Sequence, residues 1–482
     1  MPTALLSVTD KSGLLELARS LLEKKWSLLA SGGTAAHLRK AGLPVDEVAD
    51  FTGAPEILGG RVKTLHPAIA GGILSRRTEE DRRDLGQGHE IAMVVVNLYR
   101  FEETPNVEQI DIGGVTLLRA AAKNYEHVIV VCDVADYPSV LEALPEPTLE
   151  KRRALAGKAF LLTARYDLAI AQSFGAGIPL RYGENPHQQA SLLTNDGPLD
   201  GRLLAGKELS YNNLLDGDVA WRAVESFDSP AVCVVKHASP CGLATAQTAA
   251  VALRAALDSD RTSAFGGVIA SNRDIDEAFV QALGDLFFEG LLAPGFQPSA
   301  LPLLSSRKNL RLVEISSPSA RNRGEVRSVR GGWLWQDQDQ GELDETSWRV
   351  VTDRQPTLPE LVSLRFAWRA AQHVRSNAIV LARGTQTVGI GGGQPNRIDS
   401  LRIALRRAGQ QPSGGRAEKP TSQLVLASDG FFPFPDSVEL AAQSGITAIV
   451  QPGGSLRDRD SINSANDHGI TMLLTGRRHF RH

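Results

Sequence analysis

Residues 4–42 read ALLSVTDKSGLLELARSLLEKKWSLLASGGTAAHLRKAG, and the order of patterns in this stretch decides the fold. Ala4-Leu5-Leu6-Ser7-Val8 is an apolar run of strand length, and Thr9, Asp10 and Ser12 are helix-capping residue types. Leu14, Leu17, Ala18, Leu21 and Leu22 then recur at helical spacing, enough for one apolar face. Trp26 to Ala30 is the next strand, Ser31-Gly32-Gly33-Thr34 a turn, and Ala35 to Ala41 a short helix stopped by Gly42. Further along, Met93 to Tyr99 and His127 to Val131 read as strands, with a helix from about Val115 to Lys123 between them. Such alternation predicts an α/β fold, an open and mostly parallel sheet with helices on both faces. Ligands in these sheets sit at the carboxyl ends of strands, where Ser31–Thr34 and the NLYRF segment at 97–101 fall.

A chain of 482 residues is longer than one hydrophobic core serves, so two or more domains are expected. With 42% apolar and 22% charged residues the composition is that of a globular protein. A net charge of −3 gives no general attraction to nucleic acid or an acidic membrane, so small anions must be captured by local cations and backbone N–H groups. Cys132, Cys233 and Cys241 are few and lack CxxC spacing, which argues against a disulfide framework or structural zinc. No apolar run approaches the roughly 18 residues needed to span a bilayer, and a reducing cytosol is the expected location.

Pro145 and Pro147 interrupt the alternation. A helical stretch follows with Leu155, Ala159, Leu162, Tyr166, Ala169 and Ile170 on one side, ending at Gly175-Ala176-Gly177-Ile178-Pro179. This predicts a first domain over 1–145, a connecting helix over 146–180 and a second mixed α/β part over 181–482. Its expected strands are 231–235, 267–270, 378–382, 387–391, 424–427, 446–450 and 470–474. Helices are expected near 246–257, 274–283, 398–408 and 436–444. The charged stretch 317–348 and the GQQPSGGRAEKP stretch 409–420 read as surface insertions or linkers. The first is a candidate boundary between subdomains of roughly 181–350 and 351–482. Direct comparison of the halves shows no internal repeat.

Several clusters can carry chemistry. In Gly59-Gly60-Arg61-Val62-Lys63-Thr64-Leu65-His66-Pro67 the glycines permit close approach, Arg61 can bind an anion bidentately and Lys63 supplies a point charge. With Ser31–Thr34 at a helix start this makes a phosphate cradle, although a Gly-rich turn with basic neighbours is, taken alone, more often an ordinary turn. Asp111 opens a helix that carries Lys123; the pair can act on a polar substrate, or be a cap and a solvated lysine. Lys236-His237-Ala238-Ser239-Pro240-Cys241-Gly242 ends a strand, where His237 can take a proton near neutral pH or simply be solvated. Phe431, Phe432 and Phe434 can sandwich a flat heterocycle or fill core. The basic tail from Thr475 to His482 follows a strand directly and can be tied down there against an anion.

Taken together, SVTDKSG (7–13), IDIGGVTLLRAAAKN (110–124), RYGENPHQ (181–188), KHASPCG (236–242), SAFGG (263–267), GIGGGQPNR (389–397), SDGFFPF (428–434) and RRHFRH (477–482) closely resemble the bifunctional purine biosynthesis family. That family joins phosphoribosylaminoimidazolecarboxamide (AICAR) formyltransferase to inosinate (IMP) cyclohydrolase. The resemblance covers essentially the whole chain. It implies a methylglyoxal-synthase-like domain followed by a transformylase with two cytidine-deaminase-like subdomains. Zinc is not expected, because Pro240-Cys241 has no second Cys after Leu243. The resemblance further implies 10-formyltetrahydrofolate as co-substrate, a structural potassium ion as a possibility, and a homodimer with shared transformylase sites.

Residue by residue, Lys236 and His237 match the formyl-transfer pair. Arg181 and Arg478 match phosphate-binding arginines. Tyr182, Asn213, Phe265, Gly266, Asn377, Arg397, Phe431, Phe434, Asp436 and His482 match positions lining the nucleotide and folate pockets. Lys63, Tyr99, Asp111 and Lys123 match the cyclohydrolase set, and Ser7, Ser31, Gly33, Thr34, Arg61 and Thr64 its nucleotide-binding residues. The chain departs from the family pattern at Arg100, Ser239, Pro435 and Pro395-Asn396; the two prolines put folate recognition in question. Rival expectations are an enzyme with one activity and one scaffold domain, or a nucleotide-binding regulator.

Overall fold

The computed structural model describes residues 1–86, 89–194, 197–307, 309–315, 324–341, 345–409 and 423–482. The chain divides into two compact units, Met1–Ala176 and Gly177–His482.

In the first unit β1 (Thr3–Val8), β2 (Ser27–Ala30), β3 (Asp46–Glu47), β4 (Ile91–Asn97) and β5 (Ile129–Val131) form a parallel sheet in the order β3-β2-β1-β4-β5. Leu5 is in register with Leu29 on one side and Val94 on the other. Ala4, Leu5 and Leu6 are all fully buried, because helices cover both faces and leave no polar side to alternate toward. The helix Leu14–Glu23 buries Leu14, Leu17, Ala18 and Leu21, each leucine worth about 1.5–3 kcal/mol. Its start differs from the sequence reading. None of Thr9, Asp10 or Ser12 caps it; Gly13 enters it in a left-handed conformation, while Asp10 accepts both the N–H and the hydroxyl of Ser12.

The expected connecting helix is Leu149–Ser173. It packs on the helix Gly113–Lys123 and on β5, burying Leu155, Ala156, Ala159 and Tyr166 in the first unit's core. It is therefore structural wall rather than tether.

The second unit, among the described residues, is built on one sheet of twelve strands. In spatial order these are β16 (Arg349–Val350), β21 (Thr471–Leu474), β20 (Ile446–Gln451), β19 (Leu424–Ser428), β17 (Ile379–Arg383) and β18 (Gln386–Gly391). The order continues with β10 (Ser239–Thr245), β9 (Ala231–Lys236), β11 (Val268–Ser271), β12 (Gly290–Ala293), β13 (Arg311–Ile315) and β8 (Gly201–Ala205). A small ladder of β6 (Ile178–Pro179) and β7 (Ser191–Leu192) stands apart.

This sheet is a duplication that direct sequence comparison does not reveal. A long helix (Tyr211–Glu225 or Leu358–Gln372) precedes an antiparallel hairpin (β9–β10 or β17–β18), then a helix (Ala249–Ser259 or Arg397–Gly409) and a strand that pairs antiparallel with the first strand of the hairpin (β11 on β9 or β19 on β17). Two further helix–strand steps follow in each half, and β10 pairs antiparallel with β18 where the halves meet. What is repeated is burial on both faces, which many apolar sequences satisfy. The central pair also shares glycines that let helices press close. A Cβ on Gly242 would come 1.9 Å from the Ala256 carbonyl, and one on Gly391 1.9 Å from the Ser400 carbonyl.

Of the two readings of 317–348, surface insertion or linker, the described portion takes the first. It holds a hairpin of β14 (Glu325–Val329) and β15 (Gly332–Gln336). Residues 317–323, 342–344 and 410–420 of the two predicted insertions or linkers lie outside the described residues.

Candidate active sites

In the first unit the strand order reverses between β1 and β4, the switch point at which open α/β sheets bind ligands. Asn97 at the end of β4 stitches this crevice, accepting from the N–H groups of Thr9 (2.6 Å) and Asp10 (2.9 Å). Ser7 and Ser31 face each other, Oγ to Oγ at 2.9 Å. The Thr34 hydroxyl bonds the N–H and carbonyl of Val8, so that side chain secures the loop; Gly33 beside it is exposed.

Lys63 and Glu56 reach the start of the helix Gly32–Lys40. A Cβ on Gly32 would meet Glu56 Oε1 at 2.9 Å and Lys63 Nζ at 3.6 Å. Thr64 similarly closes on Gly113. Arg61 is exposed and paired with Glu108. Asp111 accepts the Gly114 N–H at 2.6 Å, and its own N–H donates to the Tyr166 hydroxyl at 2.8 Å, so the long helix Leu149–Ser173 fixes the Asp111 loop. Burial raises the Asp111 carboxyl above its ordinary range, against the opposing pull of the Gly114 and Tyr99 N–H groups and Lys63. Burial, then the negative fields of Asp111 and Glu56, raises the Tyr99 phenol above 10.0. Lys63, Tyr99 and Asp111 thus converge as a cation, a phenol that stays protonated and a carboxyl primed to take a proton.

Lys123 does not join them. It is exposed at the far end of the helix Gly113–Lys123, about 15 Å along the axis from Gly113 at its start.

In the second unit Lys236 and Ser239 are paired across a two-residue turn in which His237 (φ 55) and Ala238 (φ 52) are both left-handed. Side chains other than Gly, Asn and Asp resist this conformation by about 1–2 kcal/mol each. Asp216, a buried carboxylate that sequence reading missed, holds the turn by accepting the N–H groups of Ala238 (2.5 Å) and His237 (3.3 Å). Nothing in the local pattern around Asp216 signals this, since the partners lie about twenty residues on. Lys236 Nζ donates to the Phe265 carbonyl at 2.7 Å, and the exposed Phe265 ring sits 5.6 Å from that of Phe287. Gly266, at φ 73, donates its N–H to the Phe287 carbonyl. Asn213 is committed to capping its helix with Ser210 and to Glu289 at 2.7 Å. Glu289 lies 3.7 Å from Arg311, whose charge feels Arg181 nearby; Arg181 in turn covers the Tyr182 ring.

A second cluster surrounds Asp429. Arg397, buried, donates to Asn377 Oδ1 (2.8 Å), Ser428 Oγ (2.9 Å) and Asp429. Of the three phenylalanines, Phe432 is wholly in the core, whereas Phe431 and Phe434 are exposed and Arg457 lies 5.4 Å above the Phe434 ring. Asp436 is exposed and bonds the Ser437 N–H. The basic tail is tied down, but by protein groups: His479 N–H donates to the Asp429 carbonyl and Ser376 N–H to that of Arg481. Arg478 and His482 remain exposed.

Strand register places both clusters on one edge of the sheet. The ends of β9, β18, β19 and β21 and the starts of β10, β11 and β17 share that edge. Lys236 on β9 and Asn377 before β17 are three strand spacings apart, about 14 Å.

Two α/β units, each with a cluster of cations and proton-transfer groups at strand ends, define an enzyme of two centres for small anionic substrates. Residues 13–125 match the MGS-like domain and residues 121–407 the AICARFT/IMPCHase bienzyme model. The bifunctional purine biosynthesis protein PurH of Nostoc punctiforme is 47% identical over 519 residues, with 99% of each chain covered. The protein of that name from Trichormus variabilis is 48% identical over 512 residues, and that from Anoxybacillus flavithermus 46% over 518, each with 99% of both chains covered. A solved structure of ForH is 40% identical; the match covers 36% of this chain and 97% of that one at a TM-score of 0.34, too low to add to the fold argument. The chain belongs to the AICARFT/IMPCHase bienzyme family. It is a bifunctional enzyme of purine biosynthesis, an AICAR formyltransferase joined to an IMP cyclohydrolase.

Proposed function

We propose that the first unit closes the purine ring and the second transfers the formyl group, so that the boundary between activities follows the boundary between units rather than residue 145. The observation that carries this is that each unit holds its own cluster of a lysine and a proton-accepting group at strand ends.

In the second unit His237 takes a proton from the 5-amino group of AICAR as it attacks the formyl carbon of 10-formyltetrahydrofolate. That amine is conjugated with the ring and carboxamide and needs such help. Lys236 stabilises the developing oxyanion, or protonates the departing folate nitrogen. Its hold on the Phe265 carbonyl keeps the ammonium beside the turn. Arg181 and Arg478 take the phosphate, and Tyr182, Phe265, Gly266, Phe431, Phe434, Asp436 and His482 line the pockets for nucleotide and folate. Asn213, Asn377 and Arg397 support these walls, since their polar atoms are bonded to protein.

In the first unit Asp111 accepts the carboxamide proton of formyl-AICAR as the nitrogen attacks the formyl carbon. Lys63 and Tyr99 polarise the formyl oxygen and protonate it to a hydroxyl; the hydroxyl leaves as water with the proton that Asp111 took, and the hydrogen lost by the 5-formamido nitrogen as its C=N bond forms restores the donor. Both reacting groups lie on one molecule, so holding the reactive conformer supplies much of the rate. Ser7, Ser31, Gly33, Arg61 and Thr64 surround the nucleotide, with Thr34 securing their loop. The resemblance adds Lys123, which the chain's own geometry does not support. It adds a cytosolic homodimer with shared transformylase sites; no described helix is long and apolar enough to cross a membrane. It also raises a potassium ion. Oxygens of Ser376, Asp429 and Arg481 gather where the tail meets β17, but one another's donors satisfy them, and no step is routed through an ion.

The test supplies AICAR and the folate donor and follows formyl-AICAR and IMP separately. Lys236→Ala should lower formyl transfer by about a thousandfold or more while closing supplied formyl-AICAR normally. Asp111→Asn should do the reverse, by about a hundredfold. If both variants damaged the same step, the assignment of steps to units would fall.

A further inference from the structure

The segment 325–341, part of the stretch read from sequence as a surface insertion or linker, is where the C-terminal tail is held. The tail alternates: His479 is 3% exposed, whereas Arg478, Phe480 and His482 face outward. His479 Nδ1 lies 2.5 Å from Asp339 Oδ2, and its ring centroid is 4.8 Å from that of Trp368. Asp339 is itself pinned. Its carbonyl accepts from Gln372 Nε2 at 2.7 Å and its carboxylate from the Gly341 N–H at 3.2 Å. A Cβ on Gly341 would come 2.0 Å from Gln372 Oε1, so the loop lies hard against the helix Leu358–Gln372. On the hairpin, Arg327 donates to the His482 carbonyl, and Glu325 is anchored by Arg222 at 2.8 Å. On the outer side the Arg478 guanidinium lies 4.6 Å from the Phe480 ring.

We propose that Asp339 and His479 are positioning residues: segment 325–341 clamps the tail at the His479 side chain and the His482 carbonyl so that Arg478 is presented, already ordered, to the phosphate of the transformylase nucleotide. This rests on the reading of Arg478 as a phosphate ligand. An arginine on a loose terminal strand would have to be ordered at each binding event, and that cost would appear as weaker binding rather than slower chemistry. The clamp removes it in advance.

The test uses the full chain with Asp339→Ala, His479→Ala, the double variant and Asp339→Asn. Each alanine variant should raise the KM for AICAR about tenfold, with kcat changed less than about threefold, and the double variant should be no worse than either single one. Asp339→Asn, which keeps an acceptor oxygen, should recover part of the loss. Cyclohydrolase parameters should stay at their original values, and hydrogen exchange at the His479 and Arg481 amides should speed up in the alanine variants. Arg478→Ala separates the two ideas. If it raises KM and the clamp variants do not, the clamp is overturned while the phosphate reading stands. If Arg478→Ala itself leaves KM unchanged, the phosphate reading fails and the positioning role with it. Additive effects in the double variant, or unchanged exchange in the tail, would also overturn the clamp.

Discussion

The two units build their centres in different ways. In the first, Ser7 stands near the end of β1, Ser31, Lys63, Tyr99 and Asp111 come from connections between the parallel strands and their helices, and the reversal of strand order alone opens the crevice. In the second, the Lys236–His237 turn is a hairpin in an unfavourable conformation, placed on a sheet edge by a duplicated fold and held by a buried carboxylate from another helix. The first kind of site follows from topology. The second needs a dedicated support, and removing that support should harm it most.

Asp216→Ala is therefore the sharpest way to break the contrast. It leaves two turn N–H groups without their acceptor, and formyl transfer should fall about 10²–10³-fold while ring closure is unaffected. Steady-state assay of both steps decides this; a wild-type rate of transfer would mean the turn holds itself. Next comes the split within the phenylalanine cluster. Phe432→Ala should cost about 3–5 kcal/mol in urea unfolding, because its ring is fully buried. Phe434→Ala should stay within about 0.5 kcal/mol and act instead on the KM for the folate donor.

A smaller effect than the loss of Phe432 concerns acid stability. Burial, reinforced by the nearby Arg481 charge, pushes the His373 imidazole down to about 3 from 6.5. The folded state therefore favours neutral imidazole, and its stability is full above 6.5 and declines as pH falls toward 3. Lowering pH from neutral to about 5.5 should cost on the order of 1 kcal/mol through this residue. His373→Gln should flatten that part of a pH–stability profile; an unchanged slope would assign the acid sensitivity elsewhere.

The fold was legible where periodicity is strong. The predicted strand 378–382 is Ile379–Arg383, and the predicted helix 398–408 is Arg397–Gly409. The duplication was not legible, because burial on both faces constrains hydrophobicity and not identity. Nor was the hairpin of β14 and β15, whose Val326, Leu334 and Trp335 are exposed and give no alternating signal. Most candidate residues were found by motif, and the structure sorts them. Asn213 and Arg397 bond to protein, Lys63 and Asp111 converge, and Lys123 stands away from both.

By itself the sequence determined the α/β class, the family and the short segments in which reactive side chains sit, because apolar period and motif order are local properties of a chain. Tertiary structure alone decided which segments meet. Asp216 under the His237 turn, Tyr166 behind Asp111 and Asp339 on His479 are pairings across 21, 55 and 140 residues. No local pattern encodes such contacts; they exist because sheet register and helix packing bring distant backbone together.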